Sequence, residues 1–250
     1  MNTSLPTLAD IRTVALTQAL QHKIDHKTKP QGSLGRLEAL ALQLGEILGT
    51  DSPVLKDPQL VVFAGDHGLV RRGVSAYPSN VSWQMVENFL AGGAAVSVFS
   101  RLNQIALSVV DCGVAHDFLA GLPAGAQRPG LRVCKVPGGE QGTADSSEQA
   151  AMSLLQCQQA LQNGVALVRT LPGNALLLGE MGIGNTSAAS LLLARLAGLD
   201  IELCTGRCCR RLAPCCARWP VSSRPGCRKR PQKQPQRCNV LRARHRIHPS

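Results

Sequence analysis

Apolar residues at positions 8, 11, 15, 16, 19 and 20 follow the three-to-four-residue spacing of one helix face, which predicts an amphipathic helix over 8–20. The spacing returns at Leu34, Leu37, Leu40, Ala41, Leu44, Ile47 and Leu48, with Ser33 placed to cap the start and Gly49 to close the end. Together they predict a helical unit over 1–50. At Leu60-Val61-Val62-Phe63-Ala64 the pattern becomes a continuous apolar, β-branched run that stops at Gly65-Asp66-His67-Gly68, the form of a buried parallel strand entering a loop. Beyond it the pattern predicts helices at 81–90 and 94–100, strands at 105–111 and 131–136, and a long helix over 145–161 opened by Asp145-Ser146-Ser147-Glu148 as a capping box. A strand at 175–178 and a helix at 186–197 follow.

Strands alternating with helices predict an α/β fold over 51–207, with a doubly wound, mostly parallel sheet of Rossmann-like type. Ligands of such sheets lie beyond the carboxyl ends of the strands, so the loops 65–73, 111–116 and 179–186 are expected to share one crevice. The third loop reads Gly179-Glu180-Met181-Gly182-Ile183-Gly184-Asn185-Thr186. Its glycines allow a tight turn, and the N–H groups at the start of the following helix favour an anion. Walker A is excluded because no Lys-Ser/Thr pair follows the glycines, and the dinucleotide fingerprint lacks its third glycine. A phosphomonoester on a sugar fits what is left. The stretch 121–130 reads as an exposed loop, and no internal repeat is evident.

With 250 residues and 44% hydrophobic content the chain can bury the core of one large domain, alone or with a small satellite. No apolar run approaches the roughly 20 residues of a membrane span, and Met1-Asn2-Thr3-Ser4-Leu5-Pro6 lacks a signal pattern, so a cytoplasmic location is the expectation. The net charge of +11 suggests nucleic acid until it is divided along the chain. Residues 1–203 hold 14 Lys and Arg against all 16 Asp and Glu, whereas 204–250 hold 13 Lys and Arg and no acid. Seven of the ten cysteines also fall after residue 203. Cys204 and Cys208 have loose zinc spacing, but no second ligand pair accompanies them, so no metal is expected. The run Arg224-Pro225-Gly226-Cys227-Arg228-Lys229-Arg230 could serve as a nucleic-acid arm, although only Trp219 stands near it as a stacking group. The favoured reading is that 208–250 is a disordered tail translated out of frame, since Arg, Pro, Cys, Ala and Gly in excess with no acids is what a GC-rich gene gives in the wrong frame. Resequencing the coding DNA tests it.

Four segments carry a resemblance: Lys29-Pro30-Gln31-Gly32-Ser33-Leu34-Gly35-Arg36-Leu37-Glu38; Val62-Phe63-Ala64-Gly65-Asp66-His67-Gly68 with Gly73-Val74-Ser75-Ala76-Tyr77-Pro78; Gly142-Thr143-Ala144-Asp145; and the 179–186 loop. In that order they resemble nicotinate-nucleotide–dimethylbenzimidazole phosphoribosyltransferase over about 5–207. The resemblance implies transfer of 5-phosphoribosyl from nicotinate mononucleotide to 5,6-dimethylbenzimidazole, giving nicotinate and α-ribazole 5′-phosphate for the lower ligand of cobalamin, without a cofactor. It also implies a homodimer and a general-base glutamate near the end of the family's chain. This chain has no acid after Glu202, so no catalytic residue is assigned, impaired turnover is expected, and dimerisation is doubtful.

The candidate substrate-binding residues are Glu180, Met181, Gly182, Ile183, Gly184, Asn185 and Thr186, together with Tyr77 and Gln84. By the resemblance Glu180 faces the nucleotide or benzimidazole; its bland alternative is a solvated acid at a helix entry. Gly182, Gly184, Asn185 and Thr186 contact phosphate or ribose, or else form a plain capped turn. Tyr77 and Gln84 lie where the family shapes its benzimidazole pocket, against ordinary packing as the alternative. Asp66 and His67 at a strand end could be catalytic, but no nucleophile for a triad accompanies them, and the favoured reading is structural, satisfying backbone N–H groups at a loop start. Lys29 and Arg36 either steer anions or sit on the surface. The competing functions are a non-catalytic nucleotide-phosphate binder and a nucleic-acid binder acting through the tail. An exposed sheet edge and apolar surface are also expected, with aggregation as their consequence.

Overall fold

The computed structural model describes residues 10–205; the expected tail, and Leu8 of the expected first helix, lie outside the described residues. Helix α1 spans Val14–Asp25 and α2 spans Arg36–Leu48. The first helix thus begins and ends later than its apolar pattern predicts. Asp10 Oδ1 accepts the Arg12 N–H at 3.0 Å, and the chain stays non-helical until Thr13, a local side-chain bond that competes with the helix. The apolar stripe runs on instead to Leu20 and Ile24, both buried. Leu20 packs on α2 at Gly45, where a Cβ would lie 2.6 Å from Leu20 Cδ1. Gly49 closes α2 in the left-handed conformation as expected. Ser33 does not open it: the chain first turns at Gly32 and Gly35, both at positive φ. Glu38 Oε1 accepts the Leu34 N–H at 3.1 Å.

Four strands, β1 (Gln59–Gly65), β2 (Ala106–Gly113), β3 (Leu131–Val133) and β4 (Leu176–Met181), run parallel in the order β3-β2-β1-β4. Alternate residues of the apolar runs face opposite ways. Val62, Ala64 and Val109 pack with Val86 and Phe89 of α3 (Asn80–Leu90) and with Ala94, just before α4 (Ala95–Leu102). Val61 and Val110 pack on the other face with Leu167 of α5 (Leu154–Thr170). Helices on both faces make the sheet doubly wound, as the alternation predicts. From β1 the chain proceeds outward to β2 and β3, then returns to the far side of β1 as β4, so the strand order reverses between β1 and β4.

Two further elements differ from expectation. The box that opens α5 is Ser153 with Gln156: Ser153 Oγ accepts the Gln156 N–H at 3.2 Å, and Gln156 Oε1 accepts the Ser153 N–H at 2.9 Å. Asp145 instead closes its own turn, accepting the N–H and hydroxyl of Ser147 at 2.9 and 2.6 Å, and pairs with Arg72. Strand β3 is also shorter than the 131–136 expected. Lys135 turns inward there to pair with the buried Asp111 at 3.2 Å and to donate to the carbonyls of Val114 and His116. Helix α6 (Asn185–Ala197) and the short α7 (Ile201–Cys204) follow β4. Leu176, Leu177 and Leu178 of β4, the edge of the described sheet, are exposed, as are Leu192, Leu193 and Leu196 of α6. Among the described residues no helix is long and apolar enough to cross a membrane.

Candidate functional site

At the carboxyl ends of β1, β2 and β4 a cavity of about 860 Å³ opens between the sheet, α5 and the start of α6. Its polar wall is drawn from the three loops expected to converge: Asp66 and His67 after β1, Cys112 and Gly113 at the end of β2, and Glu180, Asn185 and Thr186 around the turn after β4. Phe63, Val110, Val136 and Leu167 form an apolar wall beside them.

Each residue of the 179–186 loop has a definite place. Glu180 is exposed at the end of β4, and the Asn185 amide donates to both of its carboxylate oxygens at 2.6 Å. Asn185 Oδ1 in turn accepts the Thr186 N–H at 2.7 Å, so the amide links the carboxylate to the first turn of α6. Met181 lines the cavity. Gly182 is buried, and a Cβ there would run into the Gly65 carbonyl and stand 3.1 Å from His67 Nε2; its bare backbone lets the chain leaving β4 lie close against the end of its parallel neighbour β1. Ile183 turns its N–H to Ser82 Oγ at 3.1 Å, tying the loop to α3. Gly184, at φ 88°, leads into α6, and its carbonyl accepts from Ser187 and Ala188. Glu180, Met181, Asn185 and Thr186 therefore reach the cavity wall, while Gly182, Ile183 and Gly184 shape the turn behind it. Tyr77, 65% exposed, and Gln84, exposed on α3, do not reach that wall. Lys29 is taken up by Glu38 at 2.8 Å, and Arg36 begins α2.

The electrostatics favour a neutral imidazole between two acids. Burial depresses the His67 pKa, opposed by the carboxylates of Asp66 and Glu180. Cys112 lines the cavity as an exposed residue, and desolvation of its thiol, with Cys134 and Asp111 nearby, pushes the pKa up to about 12, which favours the thiol over the thiolate at neutral pH. Among the described residues no cluster of His, Cys, Asp and Glu has the arrangement of a metal site.

The cavity wall also contains residues given no role by the sequence. The segment 142–144 lies along 66–68, with Thr143 N–H donating to the Asp66 carbonyl at 3.0 Å and Gly68 N–H to the Thr143 carbonyl at 3.1 Å. Met152 and Ser153 line the cavity before α5. The glycines at 138, 139 and 142 were the available signal for the first of these.

The reversed strand order, with ligand-facing loops gathered where it reverses, places the chain among the doubly wound α/β proteins that bind ligands at such a crevice. Within that class it belongs to the family described as phosphoribosyltransferase, whose model matches residues 12–211. It is 60% identical over 205 residues to the nicotinate-nucleotide–dimethylbenzimidazole phosphoribosyltransferase of Variovorax paradoxus, covering 82% of this chain and 56% of the relative. With the protein of the same name from Dechloromonas aromatica it shares 56% identity over 195 residues, 77% of this chain and 53% of the relative. The crystal structure of CobT from Thermus thermophilus superposes with a TM-score of 0.72 at 36% identity, covering 85% of this chain and 64% of that one. The chain spans about half the length of the curated relatives it matches.

Proposed function

We propose that residues 10–205 form the phosphoribosyl-donor part of a site that transfers 5-phosphoribosyl from nicotinate mononucleotide to 5,6-dimethylbenzimidazole. The observation that carries this reading is the placement of Glu180 and the first turn of α6 on one cavity at the strand reversal, in a chain 60% identical to a relative named for that reaction. In the reaction a benzimidazole nitrogen bonds to C1′ as the C1′–nicotinate bond breaks. The bonding pair leaves with the pyridine nitrogen, and the proton on the other benzimidazole nitrogen passes to a base. The pyridinium is already a good leaving group, so catalysis consists of alignment and proton removal.

In this reading the phosphate takes the amide positions at the start of α6. Its oxygens replace Asn185 Oδ1 on the Thr186 N–H, and the Thr186 hydroxyl adds a second donor. Met181 and the apolar wall receive the rings. Glu180, released by Asn185, faces the nucleotide or the benzimidazole. By the resemblance the general base falls outside the matched residues, and removing a positioned general base costs about 10²–10⁴ in rate. That makes a non-catalytic nucleotide-phosphate binder the second reading. The homodimer of the family and a cytoplasmic location remain part of the first.

Calorimetric titration with nicotinate mononucleotide tests the proposal. Binding is expected, weakened by about tenfold in Thr186→Val, which removes the hydroxyl donor. A folded chain that leaves millimolar nicotinate mononucleotide unbound overturns it. Nicotinate release in the presence of dimethylbenzimidazole then separates the enzyme from the binder.

A further inference from the structure

The sequence reads Asp66 as a group that satisfies backbone amides, and only half of its carboxylate does so. The residue is 7% exposed. Its Oδ2 accepts the Ala115 N–H at 2.9 Å, whereas Oδ1 is buried and has no hydrogen-bond partner among the described residues. Asp66 lines the cavity at the end of the central strand, beside the reversal of strand order. A buried carboxylate oxygen left without a donor is strongly unfavourable, and a native fold that keeps one does so for a reason, of which a donor brought by a ligand is one.

The backbone that carries this side chain is held on three sides. Its backbone N–H donates to the Gly113 carbonyl at 3.1 Å, and its carbonyl accepts from Thr143 at 3.0 Å. Gly142 lies so close that a Cβ there would stand 2.9 Å from the Cβ of Asp66. Backbone contacts therefore fix where Asp66 leaves the end of β1, the Ala115 N–H orients its carboxylate, and the second oxygen is buried at a residue that lines the cavity. Such support from the surrounding shell is the requirement for a group that must meet a ligand at one point.

Charge selects the ligand group. Among the described residues lining the cavity none is Lys or Arg, while Asp66 and Glu180 are both acids. An anion is repelled from Asp66, so the phosphate belongs at the start of α6 and not here. A neutral hydroxyl donates to a carboxylate without cost in charge. The carboxylate also faces the positive charge that develops on the sugar ring as a glycosidic bond to a pyridinium breaks.

Resting on the donor site proposed above, we propose that Asp66 is a substrate-contacting residue whose Oδ1 accepts a hydrogen bond from a ribosyl hydroxyl of the nucleotide, fixing the sugar between the sheet and the helix start. The ligand class is a ribofuranosyl 5′-phosphate bearing a free 2′- or 3′-hydroxyl.

The test titrates nicotinate mononucleotide and its 2′-deoxy and 3′-deoxy forms into the full chain and into Asp66→Asn, with thermal unfolding of both proteins. One deoxy form is expected to bind the unaltered chain about tenfold or more weakly than the parent. Asp66→Asn is expected to weaken the parent by a similar factor and to add no further loss for that deoxy form, since the contact is already gone. The variant is expected to unfold at the same or a higher temperature, because the amide oxygen keeps the Ala115 N–H while the unpaired charge disappears. If both deoxy forms bind the unaltered chain as tightly as the parent, the inference is overturned without reference to any variant. Equal losses for all three ligands in Asp66→Asn, or a lowered unfolding temperature with unchanged affinity, also overturn it, the latter marking a purely structural carboxylate. Failure of the unaltered chain to bind nicotinate mononucleotide removes the functional reading itself, whereas binding without the hydroxyl dependence removes this inference alone.

Discussion

On the β2 side of the central strand, Val62, Val109, Val86 and Phe89 are closed over by α3 and α4, whereas on the β4 side Leu178 remains 70% exposed and Leu196 of α6 84% exposed. Both sides are written in the same aliphatic alphabet. An apolar pattern therefore marks which positions suit burial, but the burial itself depends on what packs against them. The first side draws its hydrophobic stabilisation from the described residues; the second offers surface whose transfer from water contributes little within them.

The largest effect should come from the closed side. Phe89→Ala empties a packed position and is expected to lower stability by about 3–5 kcal/mol, measured by urea unfolding; a loss below about 1 kcal/mol would mean that the two sides do not differ. Gly182→Ala attacks the seam where the chain leaving β4 lies against β1. With the Gly65 carbonyl in the way of the new methyl, about 2–4 kcal/mol is expected, and the loop's amide cross-peaks should shift in a heteronuclear spectrum. Next comes the fork of Arg128, which grips both oxygens of Glu87 at 2.7 and 2.8 Å and holds the Glu87 carboxyl below the usual range. Its partly exposed position limits Arg128→Lys to about 1 kcal/mol.

His67 gives a modest effect that depends on pH. Burial holds its folded-state pKa below the ordinary histidine value of about 6.5, so the unfolded chain binds the proton first as the pH falls. This contribution to stability is complete above about pH 6.5 and is lost as the pH drops through the folded-state value. In His67→Gln that part of the pH dependence should flatten, read from unfolding midpoints between about pH 5 and 8, the window over which histidine titrates. The smallest change belongs to the open side: Leu196→Gln should alter stability by no more than about 0.5 kcal/mol yet reduce self-association in light scattering.

The strands were legible because continuous β-branched runs such as Leu60–Ala64 leave few other options, and their alternation with helices implied the doubly wound sheet. The start of α5 was misplaced because two short segments carry cap chemistry. Asp145 spends its oxygen on Ser147 and its charge on Arg72, leaving Ser153 and Gln156 to open the helix. Of the candidate site, the convergence of Asp66, Glu180 and Asn185 follows from their place at the carboxyl ends of parallel strands, which the alternation implied. The exposure of Tyr77 depends on how the loop before α3 lies, and nothing in the local pattern specifies that. The unpartnered oxygen of Asp66 was also hidden, since its surroundings include Gly142 and Thr143, remote in sequence, which close against the end of β1.

Cys112 brings a practical consequence. Electrophilic probes find cysteines through their thiolates, and this sulfur keeps its proton well above physiological pH. Acrylamide or chloroacetamide warheads aimed at the crevice are therefore expected to alkylate it slowly at neutral pH, measurable by intact-mass analysis over time.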